Sequence, residues 1–285
     1  MGVHVATSLA DALAVMAIDP TAHVLAGGTD LMVEVNFGHR SPGAVIAIDR
    51  VPELRGWRRL DGPVHPGGAV WLGAGLTYRE MLAPDLAALL PALAEAARTV
   101  GSPQIRNAGT LGGNLGTCSP AGDALPVLAA LDATIEVASA TTRREISVGE
   151  FMVGVKRTAL APGELVVAAT VPLLDGYQGF AKVGVRNAMV ISVASACLAV
   201  DRSGRTVRLA LGAVAPTVVR ARQAEAWVAG ELAWDGTAPP ADLAAEFGRR
   251  AAAEARPIDD HRSTAGYRRH AVGVLAARLL GRAAP

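Results

Sequence analysis

The sequence predicts an α+β protein built from two domains that are organised differently. Near the amino terminus, two apolar runs flank a glycine turn and a helical segment within about thirty residues, the pattern of a parallel βαβ unit. Towards the carboxyl terminus, apolar runs joined by short polar turns precede alanine-rich helical segments, which favours an antiparallel sheet packed on helices. The length of 285 residues and the hydrophobic content of 51% are sufficient for two cores.

The first domain is predicted to begin with a helix over residues 8–17, which Ser8 can cap. The βαβ unit follows, with short strands at 24–25 and 44–48 and a helix at 31–37 that stops near Gly38. Further strands are predicted at residues 70–74, 134–138 and 164–171.

Helical segments and one irregular segment separate these strands. Thr77 and Glu80 have the spacing of a capping box, which predicts a helix beginning at Thr77. Residues 86–100 predict a single helix that Gly101 ends, and residues 125–131 predict another. Between them, residues 101–123 are dense in Gly, Asn, Thr and Ser with little periodicity, so we predict a long functional loop.

The turn-rich stretch from Pro172 to Gly179 predicts the domain junction. We therefore expect a first domain over residues 1–172, in parts of about 1–55 and 56–172, and a second over 177–285. The second domain is predicted to contain strands at 180–186, 193–200 and 206–214 and helices at 217–229, 241–255 and 265–280.

Composition excludes several classes of function. A formal net charge of +1 gives no electrostatic footprint for nucleic acid or a membrane surface. We expect neither a signal peptide nor a membrane span, and hence a cytoplasmic protein. The two cysteines cannot ligate an iron–sulfur cluster, and no zinc-site spacing is present. Redox chemistry would therefore require an organic cofactor, and multi-step electron transfer a second subunit.

The first candidate site is the segment Ala26-Gly-Gly-Thr-Asp30, between a predicted strand and a predicted helix. Paired glycines allow a ligand to approach the backbone, and the N–H groups that begin a helix favour an anion. An ordinary strand-to-helix turn explains this short motif equally well. The segment lacks the third glycine of a Rossmann fingerprint, and the chain contains no P-loop sequence Gly-Lys-Ser/Thr.

The second candidate site is the glycine-rich segment from Gly101 to Pro120. Backbone N–H groups in such a stretch can surround a pyrophosphate without side-chain charge, with hydrogen bonds added by neutral side chains at Asn107, Thr110, Asn114 and Ser119. The alternative is an ordinary surface loop. Two separate backbone cradles suit a dinucleotide better than a small phosphate, so the two segments support each other.

Both segments resemble the paired FAD motifs of the flavoprotein (medium) subunits of molybdenum hydroxylases, the xanthine dehydrogenase and carbon monoxide dehydrogenase family. The resemblance rests on residues 25–31 and 104–115, and also on Ser119-Pro-Ala-Gly-Asp123, Phe180-Ala-Lys182, residues 186–189 and residues 267–270. Thr29-Asp30 stands where the carbon monoxide dehydrogenase branch tends to have His-Ser, which argues against carbon monoxide as substrate.

The resemblance implies an FAD-binding domain with two subdomains, of the vanillyl-alcohol oxidase (PCMH) type, followed by a smaller antiparallel domain. Asp123 would hold the adenosine half of FAD, and Lys182 would approach the flavin ring. The cofactor-binding residues that it implies are Ala26, Gly27, Gly28, Thr29, Asp30, Leu31, Gly101, Ile105, Asn107, Thr110, Gly112, Gly113, Asn114, Gly116, Ser119, Asp123, Val166 and Lys182.

As function, the resemblance implies an electron-transfer subunit with non-covalently bound FAD. A small partner subunit would carry [2Fe-2S] clusters and a large one the molybdopterin cofactor, assembled as a dimer of heterotrimers. No catalytic or metal-ligating residue is expected on this chain. The alternatives are a free-standing FAD oxidoreductase of the same fold and a non-enzymatic nucleotide-binding assembly module.

Overall fold

A computed structural model describes residues 2–283, so the outermost ends of the two predicted domains lie outside the described residues. The chain begins with a three-stranded parallel sheet formed by β1 (Gly2–Val5), β2 (His23–Leu25) and β3 (Ala44–Ala47), in the order β1-β3-β2. Helix α1 (Leu9–Ile18) is capped by Ser8, whose hydroxyl accepts from the N–H of Asp11. With α2 (Leu31–Asn36) between β2 and β3, the predicted βαβ unit is confirmed.

An antiparallel sheet of five strands forms the next layer, in the order β4-β5-β10-β6-β7. The sequence predicts β5, β6 and β10 but misses β4 and β7, whose outward-facing polar residues hide the strand pattern. A two-stranded hairpin of β8 and β9 follows the short helix α8. The bounds of these elements are β4 (Trp57–Gly62), β5 (His65–Gly73), β6 (Thr134–Ala138), β7 (Arg143–Ser147), α8 (Val148–Phe151), β8 (Met152–Gly154), β9 (Arg157–Thr158) and β10 (Leu165–Pro172).

Two of the helices predicted between β5 and β6 differ from the structure. The capping box forms, because the N–H of Thr77 donates to Glu80 and the N–H of Glu80 donates to the Thr77 hydroxyl, yet it opens only a 3-10 turn. The single helix predicted over residues 86–100 is wrong, since Pro91 divides it into two. The elements here are the turn Glu80–Leu82, α3 (Pro84–Leu89), α4 (Pro91–Thr99) and α7 (Ala124–Ala130).

The segment 101–123 is not the long loop that the sequence predicts. It contains two short helices, α5 (Pro103–Ala108) and α6 (Leu111–Thr117). Ser102 and Thr110 cap them through their side-chain oxygens, which accept from N–H groups three residues further on. The glycines hid this pattern because they disfavour helices in general.

A second antiparallel sheet, β11-β12-β13-β14, packs against α4 and α7 and against two of the three helices in this part of the chain, α9 and α11, while α10 packs on those two helices. The expected helix over residues 217–229 is wrong at its start, where Val219 and Arg220 form a short strand paired with β13. The elements are β11 (Gly176–Val183), β12 (Ala194–Asp201), β13 (Thr206–Gly212), β14 (Val219–Arg220), α9 (Arg222–Glu231), α10 (Ala241–Glu254) and α11 (Ala265–Leu280).

The described residues form two hydrophobic cores, and polar contacts link the two parts of the chain that contain them. One core contains side chains from Ala6 to Val171 together with part of the inner face of the second sheet, and the other contains side chains from Ala194 to Ala283. Asp132 after α7 forms a 2.6 Å ion pair with Arg220 of β14. The N–H of Ala213 donates to the carbonyl of Pro120 at 2.8 Å. These two contacts fix β14 and the residue after β13 against the segments that follow α7 and α6, respectively.

Membrane insertion as a helix is not supported by the described part of the chain. Across residues 2–283, each helix is too short or too polar to cross a bilayer.

Candidate functional site

The two glycine-rich segments lie directly against each other. A Cβ added to Gly27 would overlap the carbonyl group of Ala108, at the end of α5. The hydroxyl of Thr117, at the end of α6, donates to the Asp30 carboxylate at 3.2 Å. Segments about 80 residues apart in the sequence therefore form one continuous surface, as the sequence predicts.

The first segment forms the turn between β2 and α2. Gly28 adopts a φ of +71°, a left-handed conformation that an L side chain would strain. Asp30 directly precedes α2, and its carboxylate accepts a hydrogen bond from the Thr117 hydroxyl. The other residues of this segment are all half-buried: Ala26, Gly27, Gly28, Thr29 and Leu31.

The N–H groups at the start of α6 are already used within the protein. Leu111 donates to the Leu76 carbonyl at 2.9 Å, Gly112 to the Ala74 carbonyl at 2.7 Å, and Gly113 to the Thr110 hydroxyl at 3.0 Å. The sequence-based picture of a second cradle of free N–H groups is therefore wrong for these three positions. They can reach a bound anion only as shared donors, as occurs at helix ends.

The three glycines of α6 differ in what a side chain at each position would contact. A Cβ on Gly112 would lie 2.7 Å from the Cβ of Ala74, so this glycine permits α6 to pack closely on the residue after β5. A Cβ on Gly113 would lie 3.1 Å from the Thr110 hydroxyl. No heavy atom lies within 4 Å of the position that a Cβ on Gly116 would occupy. Close packing of backbone on backbone explains Gly27 and Gly112.

A cavity of about 280 Å³ opens where the two segments meet the first two sheets. This volume is just below the range typical of sites that enclose a whole drug-sized ligand, about 300–1,000 Å³, so it has room for only one part of a dinucleotide. Its lining residues are Ala26, Gly27, Ile48, Asp49, Arg55, Gly75, Thr77, Asn107, Ala108 and Thr110.

Four of the predicted site residues line this cavity: Ala26, Gly27, Asn107 and Thr110. The other six lining residues were not predicted from the sequence: Ile48, Asp49, Arg55, Gly75, Thr77 and Ala108. Ile48 and Asp49 directly follow β3, and Gly75 and Thr77 follow β5. Ligands gather at the carboxyl ends of strands in parallel sheets. The predicted strand end at residue 48, in the parallel sheet, therefore contained the signal for Ile48 and Asp49, whereas β5 belongs to an antiparallel sheet and gave no such signal for Gly75 and Thr77.

Asn114 supplies a polar atom suited to a bound ligand. Its side-chain Oδ1 is buried and, among residues 2–283, has no hydrogen-bond partner. An unpaired buried carbonyl oxygen costs free energy unless a ligand or an ordered water donates to it. The hydroxyl and amide groups of FAD are donors of the required kind. The unpaired acceptor of Asn114 therefore fits FAD as a ligand.

Asp123 and Lys182 form a buried ion pair. Lys182 Nζ lies 2.5 Å from Asp123 Oδ2, and both side chains are less than a tenth exposed. The Ser192 hydroxyl donates to Asp123 Oδ1 at 2.5 Å, and Lys182 also donates to the carbonyl oxygens of Thr99 and Val190. Burial raises the pKa of Asp123, and the neighbouring ammonium and hydroxyl oppose that rise.

This pair corrects one expectation. The resemblance implies that Asp123 holds the adenosine half of FAD while Lys182 approaches the flavin ring, which places them at opposite ends of the dinucleotide. Their charged atoms are in direct contact instead, where the first domain meets β11.

The remaining predicted residues lie around these groups or in the core. Gly101 has a φ of +43° and packs on Ile105, since a Cβ there would lie 2.7 Å from the Ile105 side chain. The Ser119 hydroxyl accepts from the N–H of Ala121 at 3.3 Å. Val166 is buried in the core at a bulge of β10, so its side chain supports the fold rather than the cavity.

Two further observations limit the chemistry of the chain. Cys118, at the end of α6, is buried, and burial raises the pKa of its thiol, so the reactive thiolate is disfavoured. Within residues 2–283, no group of three or more His, Cys, Asp or Glu side chains is arranged to hold a metal ion.

Family models match nearly the whole chain. Residues 1–174 match the FAD binding domain in molybdopterin dehydrogenase, and residues 180–283 match the CO dehydrogenase flavoprotein C-terminal domain. The glyceraldehyde dehydrogenase medium chain of Sulfolobus acidocaldarius is 34% identical over 275 residues, covering 95% of this chain and 93% of that protein.

Solved structures agree with this match. Quinoline 2-oxidoreductase from Pseudomonas putida 86 superposes with a TM-score of 0.88 at 25% identity, covering 100% of this chain and 96% of that chain. The carbon monoxide dehydrogenase of Hydrogenophaga pseudoflava superposes with a TM-score of 0.85 at 30% identity, covering 98% and 96%.

The fold and the paired glycine segments define an FAD-binding oxidoreductase subunit of α+β class. The chain belongs to the family of FAD-carrying medium subunits of molybdenum hydroxylases, so the resemblance drawn from its motifs is confirmed. Its function is electron transfer through FAD within a heteromeric enzyme.

Proposed function

We propose that FAD binds across the two glycine-rich segments, with one part in the cavity beside Gly27 and Thr110. The observation that carries this proposal is the close packing of Gly27 on Ala108, which brings both segments to one surface. The proposed surface continues in both segments beyond the cavity. Along the start of α2 it includes Gly28, Thr29, Asp30 and Leu31. Along and beside α5 and α6 it includes Gly101, Ile105, Asn107, Gly112, Gly113, Asn114, Gly116 and Ser119.

Asp123 and Lys182 are proposed to act together at the boundary between the domains. Lys182 reaches from β11 to Asp123 and donates to the Val190 carbonyl, so it ties the loop after β11 to the first domain. The pair would hold both domains at a fixed distance from the cofactor. Val166 supports the sheet behind the site through its place in the core.

When bound, FAD supplies the capacity to take up and release electrons. The chain's own residues hold the cofactor, exclude water from the buried side of the site and fix the second domain beside it. We propose that the electrons come from [2Fe-2S] clusters on a small partner subunit and leave to an external acceptor.

We further propose a large molybdopterin-binding partner and a dimer of heterotrimers. Support comes from relatives that are named medium chains, because such a name denotes one component of a multi-subunit enzyme.

We also propose that the protein is located in the cytoplasm. Both of its cysteines are free and buried, as is usual in that reducing compartment. For the domain division we propose 1–172, in parts of about 1–55 and 56–172, and 177–285, supported by the two hydrophobic cores.

Stopped-flow mixing tests this function. The FAD-loaded chain is mixed anaerobically with the small iron–sulfur subunit of the same complex, reduced beforehand. The proposal predicts loss of the oxidised flavin absorption band, whereas the oxidised iron–sulfur subunit produces no change. Unchanged flavin with the reduced partner contradicts the proposal.

The same preparation separates the alternatives. Bleaching of the flavin by a small organic substrate, with no partner present, would identify a free-standing oxidoreductase. Binding of ADP as tightly as FAD, without a reducible flavin, would identify an assembly module.

A further inference from the structure

Arg55 lines the cavity between the two segments. It ends the 3-10 turn Pro52–Leu54 and is one of the residues lining the cavity, beside Asp49 and Gly75. Its guanidinium donates to the carbonyl oxygen of Asp49. A Cβ on Gly75 would lie 3.3 Å from the Arg55 Cδ, so the glycine leaves room for the arginine stem. The guanidinium is thus held at the cavity by the backbone after β3.

The charges around the cavity make this position informative. Of the lining residues, Arg55 has the cationic side chain, Asp49 has an anionic one, and the other eight are neutral. A diphosphate carries negative charges that are costly to enclose without hydrogen-bond donors or a cation. Arginine suits phosphate because its planar guanidinium presents several donors in a fixed geometry.

The backbone alone supplies fewer donors than the glycine content suggests. The N–H groups of Leu111, Gly112 and Gly113 already donate to acceptors within the protein. The first segment, around Gly27, is one backbone surface that remains for an anion at this cavity. A cation among the lining residues would provide the missing stabilisation.

We propose that Arg55 binds the diphosphate of FAD and is a cofactor-binding residue of this chain. This inference rests on the proposed function, because it assumes that FAD occupies the cavity. The proposal also predicts that ADP, which contains the same diphosphate, binds to Arg55 in the same way as FAD.

Equilibrium titration of the full-length apoprotein with FAD, followed by flavin fluorescence, tests the role of Arg55. Arg55→Gln removes the charge, and Arg55→Lys keeps it. Arg59→Gln is the matched control, since Arg59 also lies near the start of β4 and pairs with Asp61 on the surface at 2.9 Å. Thermal unfolding of each apoprotein verifies that it is folded.

The expected result is FAD binding about 10-fold weaker in Arg55→Gln than in wild type, with Arg55→Lys in between and Arg59→Gln unchanged. ADP, measured by competition with FAD, should lose the same factor. Added salt should weaken binding to the wild type more than binding to Arg55→Gln, because the charge that salt screens is gone.

Two failures are distinguishable. If the wild type does not bind FAD, the proposed function is wrong. If the wild type binds FAD while Arg55→Gln and Arg59→Gln have equal affinities, the proposed function stands and the role of Arg55 is overturned. Weakening of FAD binding without any effect on ADP would also overturn it, because the contact would then lie away from the diphosphate.

Discussion

Lys182 Nζ lies 2.5 Å from Asp123 Oδ2, and this contact joins strand β11 of the second domain to the residue that precedes α7 of the first. Ser192 completes the arrangement by donating to the other carboxylate oxygen. Each partner is buried, so each needs the other to offset the cost of leaving water. The contact between the two domains at this point therefore depends on electrostatics as well as on packing.

Replacing one member of this pair should destabilise the protein strongly. Lys182→Met leaves the Asp123 carboxylate buried beside Ser192 without its cation. We expect the free energy of unfolding to fall by about 3–5 kcal/mol. Chemical denaturation of the apoprotein measures this change.

The double variant Asp123→Asn/Lys182→Met provides the control. It removes both charges, so it should recover a large part of the stability lost in Lys182→Met. Equal stability of the single and the double variant would show that the contact carries no electrostatic coupling.

Gly27→Ala should weaken FAD binding. Its methyl group would overlap the Ala108 carbonyl, so the first segment must move away from α5 and the cavity must change shape. We expect at least about a 10-fold loss of affinity, which corresponds to 1.4 kcal/mol. Flavin fluorescence titration measures it.

Gly149→Ala is the matched control for the glycine substitution. Gly149 lies in α8, and no heavy atom lies within 4 Å of the position of its added Cβ. Its FAD affinity should equal that of the wild type. If Gly27→Ala binds FAD as well as Gly149→Ala does, the packing of the two segments does not determine cofactor binding.

The sequence predicted what depends on local pattern and motif. The βαβ unit and the hairpins of the second sheet follow from apolar periodicity, and they are confirmed. The paired glycine segments identified the family correctly. Strand β4 escaped because its exposed polar residues, such as Arg58 and Arg59, leave little apolar alternation.

What the sequence could not predict depends on tertiary contacts. Glycine-rich residues 111–117 form a helix because α6 packs on Ala74 and Thr110 caps it. The pairing of Asp123 with Lys182 joins positions 59 residues apart, and nothing local reveals it. Arg55 was missed for the same reason, since its place at the cavity follows from the turn after β3.

Asn114→Leu should separate cofactor binding from stability. The substitution removes a buried carbonyl oxygen that lacks a partner among residues 2–283, so the apoprotein should be as stable as the wild type or more stable. FAD affinity should fall, because the donor on the ligand loses its acceptor. Thermal unfolding and FAD titration measure the two effects. A loss of apoprotein stability with unchanged FAD affinity would show that Asn114 serves the fold instead.

The ion pair of Glu164 and Arg144 should make part of the stability depend on pH. Hydrogen bonds from Arg144 lower the pKa of the nearly buried Glu164 below its usual value. The unfolded chain therefore binds more protons in the interval between the two pKa values, and stability falls as pH drops through that interval. Its contribution is fully present above the unfolded pKa of Glu, about 4.3.

Glu164→Gln removes this dependence. At neutral pH the variant should be less stable than the wild type, by a small amount because solvent reaches the Arg144 guanidinium and screens the pair. The difference should shrink as the pH falls below about 4, because the wild-type carboxyl then becomes protonated too. Urea unfolding across this pH range tests the sign. A difference that grows towards acid pH is the opposite of this expectation.

Direct titration of the full-length apoprotein with FAD tests the central claim, that the two glycine-rich segments form one cofactor site. The account predicts saturable binding of one FAD per chain, weakened by Gly27→Ala in the first segment and by Asn114→Leu in the second. Absence of saturable binding, or FAD binding that neither substitution changes, would contradict it.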